Sequence, residues 1–125
     1  VRRIIIRCGE VELRAELLDT ATADVVYRAL PIESEARTWG EEVYFPVPVQ
    51  IEREAGARDV VERGEIAYWV EGHCIAIGYG PTPISRGDEI RLASPTNIWA
   101  TALDDVRALS TVRDGDPIRV ESLSD

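Results

Sequence analysis

The chain contains no lysine and no methionine. Without an ε-amine there is no Schiff-base chemistry and no phosphate-cradling P-loop, since both need a lysine. Histidine occurs once, at His73, and cysteine twice, at Cys8 and Cys74. These three residues lack any metal-ligand spacing, so no metal site is expected, and no motif calls for a cofactor. Both cysteines lie in apolar, strand-like runs. That pattern reads as buried free thiols in a reducing compartment, here taken as the cytoplasm. Positive charge is in deficit: 14 arginines stand against 23 acids, for a net charge of −9. Nucleic acids and anionic membranes demand clustered positive charge, and these arginines are scattered, so neither is an expected partner. Every apolar run is far shorter than a membrane span, which excludes a transmembrane helix. No secretory signal pattern is visible; the chain starts at Val1 rather than a Met, so a removed leader stays an open alternative. Repeats, low-complexity stretches and linkers are absent as well.

What is present is an ordinary globular composition, 125 residues with 45% hydrophobic and 30% charged content. Such a chain is expected to form one domain, residues 1–125, with a core that needs no disulfide or metal. Apolar and polar residues alternate repeatedly, the signature of half-buried strands. Ile4 and Ile6 share one face of a first strand ending at Cys8. After a Gly9-Glu10 turn, Val11, Leu13, Ala15 and Leu17 alternate with Glu12, Arg14 and Glu16, completing a hairpin. The period then changes. Thr20 or Thr22 can cap a helix with Asp24 in its first turn, and Pro31 stops it. A strand over 33–39 places Glu35, Arg37 and Trp39 on one face, and Gly40 turns the chain. From Glu42 the alternation is the cleanest of all, with Val43, Phe45, Val47, Val49 and Ile51 opposite Glu42, Tyr44, Pro46, Pro48 and Gln50. Two prolines there suggest an edge or bulged strand, because proline donates nothing to a ladder.

Residues 52–64 read as a charged surface loop with a short helical turn. Strands follow over 65–70 and 74–79, then a proline-stiffened loop at 80–88. Two more strands, 89–93 and 97–103, are separated by Ser94-Pro95-Thr96. Asp104 or Asp105 can cap a short second helix through Val112, and a last strand covers 118–121. Eight or nine short strands with a helix near each end argue for a barrel whose open ends the helices cover.

Several segments carry a resemblance: Thr20 to Pro31, Thr38-Trp39-Gly40-Glu41-Glu42-Val43-Tyr44-Phe45, Gly64-Glu65-Ile66-Ala67-Tyr68-Trp69, Gly80-Pro81-Thr82-Pro83-Ile84-Ser85 and Ala93-Ser94-Pro95-Thr96-Asn97. In this order, over nearly the whole chain, they resemble a family of small prokaryotic cyclophilin-like proteins of unknown function. The resemblance implies a mainly β fold: a closed or nearly closed, mostly antiparallel eight-stranded cyclophilin-like barrel capped by two helices. Prolyl-isomerising cyclophilins use an arginine in a Phe-His-Arg strand and a Gln-Gly-Gly-Asp segment. Here Arg37 follows Glu35-Ala36, and Gln50-Ile51-Glu52 stands nearest to the second motif. The resemblance therefore implies the fold without efficient prolyl isomerase activity.

The candidate ligand-binding residues are Arg37, Trp39, Glu42, Tyr44, His73, Thr82 and Asn97, placed around a groove on the barrel wall. Arg37 beside Trp39 can clamp a carbonyl or carboxylate next to an aromatic floor, or simply form a cross-strand ion pair. Glu42 with Tyr44 can bind a cation or act as a general base, or be a solvated strand face. His73 is the one side chain whose ordinary pKa lies near neutrality, but Cys74 beside it on a strand points to the other face. Thr82 sits in the 80–85 loop, whose prolines and glycines suit recognition or a stiff connection equally. Asn97 can bind a ligand or cap its turn. Tyr68, Trp69, Tyr79 and Trp99 read as core or cross-strand aromatics. The leading expectation is a domain that binds a small molecule or peptide. The alternatives are an enzyme (a degenerate prolyl isomerase, or a small-metabolite hydrolase or isomerase) and an interaction subunit or homodimer that pairs through the 42–52 strand.

Overall fold

A computed structural model describes residues 1–124. Strands β1 (Arg3–Cys8) and β2 (Val11–Leu17) form the expected hairpin. Its turn needs Gly9, at φ +58°, because an L side chain is strained there. Helix α1 (Ala21–Ala29) starts where Thr20 Oγ1 accepts the Ala23 N–H at 3.0 Å, and it ends at Leu30, before Pro31. Then come β3 (Ile32–Glu35), β4 (Arg37–Thr38), β5 (Glu42–Pro46), β6 (Arg58–Val61), β7 (Glu65–Trp69), β8 (Cys74–Gly78) and β9 (Ile90–Ala102). A 3-10 helix (Val106–Thr111) is capped by Asp105, which accepts the Arg107 N–H at 3.0 Å, and β10 (Pro117–Leu123) closes the series.

The strands run in the order β3-β10-β1-β2-β9-β7-β8-β5-β4, every pair antiparallel, with β6 attached to β9 alone. The two ends of that order, β3 and β4, are consecutive in the chain and separated only by Ala36. One segment, 32–38, therefore pairs with β10 through its first half and with β5 through its second. Counted as one stave, it makes a nearly closed antiparallel barrel of eight staves, with β6 outside the ring. Ser34 Oγ donates to the Pro46 carbonyl at 2.6 Å across the closure. Alternation sends Ile4, Ile6, Leu13, Val43, Phe45, Ile66, Tyr68, Ile75, Ile77 and Trp99 inward, all at most 1% exposed. Helix α1 adds Ala23 and Val26 to this core, and the 3-10 helix adds Val106 and Leu109.

Three expectations are corrected. The alternating run from Glu42 is a strand only to Pro46, and it is no edge, since β5 lies between β4 and β8. Pro46 and Pro48 end the ladder there, while Val47, Val49 and Ile51 still pack on the core from an irregular segment. Residues 58–61, expected as loop, form β6. The break at Ser94-Pro95-Thr96 does not exist, because β9 runs unbroken for 13 residues. Pro95 is tolerated because the β6 ladder shifts register between Arg91 and Thr96, so no partner needs its N–H. The expected short second helix is present as a 3-10 helix.

The irregular 47–57 segment is held from inside the barrel by two polar side chains. Tyr68 Oη donates to the Val49 carbonyl at 2.9 Å and accepts the Ile51 N–H at 3.3 Å. Asn97, 1% exposed, accepts the Glu54 N–H at 2.8 Å and donates to the Glu52 carbonyl at 2.9 Å and to Thr22 Oγ1 at 3.1 Å. Thr22 in turn donates to the Glu54 carboxylate. Asn97→Ala leaves these buried groups without partners. The expected loss is on the order of 2–4 kcal/mol, read as a lower urea midpoint with an unchanged slope.

Candidate functional site

Residues opposite one another in an antiparallel pair share a face. Tyr44 lies opposite Arg37 and Ala76, Ala76 opposite Ala67, and Trp69 opposite Cys74 and Thr96. Since Val43, Phe45, Tyr68 and Ile75 point inward, all of these point outward. An outer strand face is ordinarily wet and polar. This one is apolar because β6 and the first part of β9 fold across it. Val61, Ile90 and Leu92 pack on Ala67 and Ala76, with Tyr44 and Ile98 alongside, as a second small core outside the barrel. Gly78 permits this approach, since a Cβ there would lie 2.4 Å from Ile90 Cγ2.

At the open side of this outer core is a cavity of about 200 Å³, lined by Trp39, Glu42, Tyr44, Trp69, Ala76, Leu92, Ala93 and Thr96. Two of the three tryptophans and one of the four tyrosines meet there. The Tyr44 and Trp69 rings stand edge to face, with centroids 6.1 Å apart and planes at 89°. Trp69 is fixed on both sides. Its Nε1 donates to Ser94 Oγ at 2.8 Å, and its ring lies over Gly72, where a Cβ would come within 2.2 Å.

Among the described residues Glu42 is the only charged one in the lining, and it is 6% exposed. Burial raises its pKa from 4.5 to about 7, and among the described residues no hydrogen bond or charge offsets that burial. Cys74, on the same face, is also pushed up, first by burial and then by Glu42, while Arg37 pulls it down. Its Sγ donates to the Gly72 carbonyl at 3.2 Å. A carboxyl group that exchanges its proton near neutrality can serve as counter-charge, hydrogen-bond donor or proton acceptor.

Of the seven residues expected to share a groove, Trp39, Glu42 and Tyr44 do line one cavity. Arg37 shares their face beside Tyr44 but is exposed and outside the lining, and among the described residues it makes no ion pair. Thr82 is buried in its own loop. It donates to the Arg91 carbonyl, and its N–H binds Ser85 Oγ at 2.9 Å, so its role is structural. His73 is exposed in the turn before β8, with Nδ1 3.3 Å from Tyr68 Oη. Asn97 faces the interior clamp described above. His73, Thr82 and Asn97 therefore leave the groove. The residues that join it are Trp69, Ala76, Leu92, Ala93 and Thr96. Trp69 could have been found from its neighbour, since adjacent strand residues face opposite ways and Tyr68 takes the core. Leu92 and Ala93 carried no such signal, because only the fold of β9 across the wall brings them there. Cys8 is a free thiol at 1% exposure, pushed up to about 12 by burial and then by Asp116. Among the described residues no three His, Cys, Asp or Glu gather as a metal site, and no helix is long and apolar enough to cross a membrane.

The model of the family described as Cyclophilin-like matches residues 2–121. The chain belongs to the cyclophilin-like family. Among solved structures, this cyclophilin-like chain is similar to the hypothetical protein AF2241 from Archaeoglobus fulgidus. The identity is 38% and the TM-score 0.83, covering 96% of this chain and 93% of that one. A second structure, McbB in complex with tryptophan, aligns with a TM-score of 0.71 at 14% identity; the match covers 98% of this chain but 46% of McbB, and it shows the fold alone. No curated protein matches the chain. The family and its archaeal member thus account for the fold of the cyclophilin-like chain without assigning it an activity.

The state of Glu42 has a direct consequence for stability. Its folded pKa lies above the unfolded value, so the folded protein binds the proton more tightly. The cost of burying the carboxylate is absent below pH 4.5 and grows as pH rises through about 7. Glu42→Gln removes that cost. Urea melts should show the variant on a par with the wild type at pH 4.5 and more stable at pH 8, by a few kcal/mol at ~1.4 kcal/mol per pKa unit. Equal stabilities at pH 8 would mean that the Glu42 carboxylate is solvated.

Proposed function

We propose that the protein binds a small molecule, or one side chain of a peptide, in the outer-wall cavity of Trp39, Glu42, Tyr44, Trp69, Leu92 and Thr96. The observation that carries this reading is one buried, uncompensated carboxylate in an otherwise apolar and aromatic cavity. Burying a carboxylate without a partner costs stability, and a ligand that completes the site offsets that cost, which supports a binding role. The volume supports a compact ligand, since an apolar cavity of about 150 Å³ already takes a benzene-sized group. Ligand sites are commonly of this kind, apolar with a few placed polar groups.

A second reading is favoured by one observation. A carboxyl group with a pKa of about 7 suits general acid–base catalysis at neutral pH, which would make the site an enzyme's. Prolyl isomerisation gains no support, because Arg37 lies outside the lining. Pairing through a 42–52 edge loses its basis, since β5 is flanked on both sides and the large exposed apolar residues, Val1, Leu18, Ile84 and Leu103, are scattered along the chain. The buried free thiols and the archaeal family member support a reducing, cytoplasmic setting in a prokaryote.

A thermal-shift screen against small metabolites and short peptides tests the reading, because a ligand of the folded state raises Tm by mass action. Ala93 is exposed at the cavity lining, so Ala93→Trp should fill the space without disturbing the core. A dose-dependent hit that this variant abolishes, at unchanged Tm of the free protein, is the expected result. A hit that survives Ala93→Trp places the ligand elsewhere.

A further inference from the structure

We infer that the cavity takes an organic cation, a methylated or protonated amine, seated among Trp39, Tyr44 and Trp69 with the Glu42 carboxylate as its counter-charge. The inference rests on the reading of the cavity as a small-molecule site and names the class of its ligand.

Three observations select the cation. The first is charge. Glu42 is 6% exposed, lines the cavity and, among the described residues, has no cationic or hydrogen-bonding partner to offset its burial. An anionic ligand would meet this carboxylate with no positive side chain in the lining to hold it. The second is the walls. Tyr44 and Trp69 stand at 89° to one another, 6.1 Å apart, which makes an aromatic corner, and Trp39 adds a further ring. Aromatic π-faces attract cations, most strongly when the site is desolvated, and such cages are a known means of holding quaternary ammonium groups. The third is that two of the lining's polar groups are already taken. Trp69 Nε1 donates to Ser94 Oγ, and Thr96 Oγ1 donates to the Arg58 carbonyl at 3.0 Å. A methylated ammonium group asks no donor of the lining, only a carboxylate and π-faces.

Other charges around Glu42 do not substitute for the ligand. Arg37 of β4 shares the face but is exposed, and its effect falls on the Cys74 thiol of β8. Glu41, the preceding residue, packs against Gly80 and raises the pKa of Tyr79 after burial does so. Tyr44, on the same strand as Glu42, and Trp69 of β7 complete the surroundings with rings rather than charges. Binding of a cation should therefore draw on the ionised form of Glu42 and weaken as that group takes up its proton.

The test uses the whole protein and two probes of the same shape, choline and its uncharged carbon isostere 3,3-dimethylbutan-1-ol. Titration calorimetry at about pH 8 should show choline binding at least ~10-fold more tightly than the alcohol, a factor worth about 1.4 kcal/mol. Glu42→Gln should erase that preference, and Trp69→Leu should weaken choline further. Wild-type affinity for choline should drop by roughly 10-fold at about pH 5, as Glu42 is neutralised. Equal binding of both probes, or preference for the alcohol, overturns the cation assignment and leaves the small-molecule reading standing. Absence of choline binding overturns it too. The metabolite screen, whose hits need not be cations, decides the broader reading separately.

Discussion

The segment 32–38 is the constraint on which the structure depends. It hydrogen-bonds β10 with its first half and β5 with its second, so one stretch of chain is both ends of the sheet. A sheet closed in this way has few unpaired backbone groups to satisfy. The bend falls at Ala36, which is fully buried and small enough for the strand to change neighbours there. Closure also sets the site. The Trp39 N–H binds the Glu42 carbonyl at 3.0 Å across the Gly40 turn, so the ring-closing segment delivers Trp39 to the mouth of the cavity and aligns β5 behind it. Once β5 is in register, the inward packing of Val43 and Phe45 leaves Glu42 and Tyr44 no direction but outward.

An outward carboxylate would be unremarkable on a bare barrel. It becomes chemically distinct because β6 and the start of β9 cover part of the wall and shed water from it. Burial then acts on Glu42 as it does on any charge moved to a poorer solvent: the neutral form is favoured and the proton is held to higher pH. Burial raises the Cys74 thiol as well, and the nearby Glu42 adds to that rise. The stiff 80–88 loop braces this cover. Thr82 ties it to Arg91, at the beginning of β9, and Gly40 lies so near the loop that a Cβ there would come within 2.8 Å of Pro83 Cδ. Its prolines thus hold both rims of the cavity, the Trp39 turn and the Leu92 strand, in a fixed relation.

The sequence was most legible where local chemistry decides. The Gly9 turn, the Thr20 cap, the Pro31 stop and the period-2 strands are short-range effects, and the ordered motifs pointed to the barrel. Trp39, Glu42 and Tyr44 were legible as a site for the same reason, being neighbours around one turn. Misreadings arose where a distant segment overrides the local pattern. Val47, Val49 and Ile51 alternate like strand residues, but Tyr68 binds the Val49 and Ile51 backbone and Asn97 the Glu52 and Glu54 backbone, in place of a ladder. Pro95 looked like a break because the β6 register shift that accommodates it lies more than thirty residues away. His73 and Asn97 carried suitable chemistry, but the turn before β8 places His73 beside Tyr68 Oη, and the facing rule of β9 turns Asn97 to the barrel interior.

The sequence by itself determined the barrel, its two flanking helices, the inward set of side chains, and the pairing of an acid with aromatics near Gly40. These follow from periodicity and from turn chemistry, which act over a few residues. Only the tertiary structure decided that Glu42 is buried, that Trp69 and Leu92 join it, and that a wall of the barrel became a cavity. Desolvation depends on which atoms exclude water from a group, and those atoms come from β6, β7 and β9, whose approach to β5 no local pattern encodes.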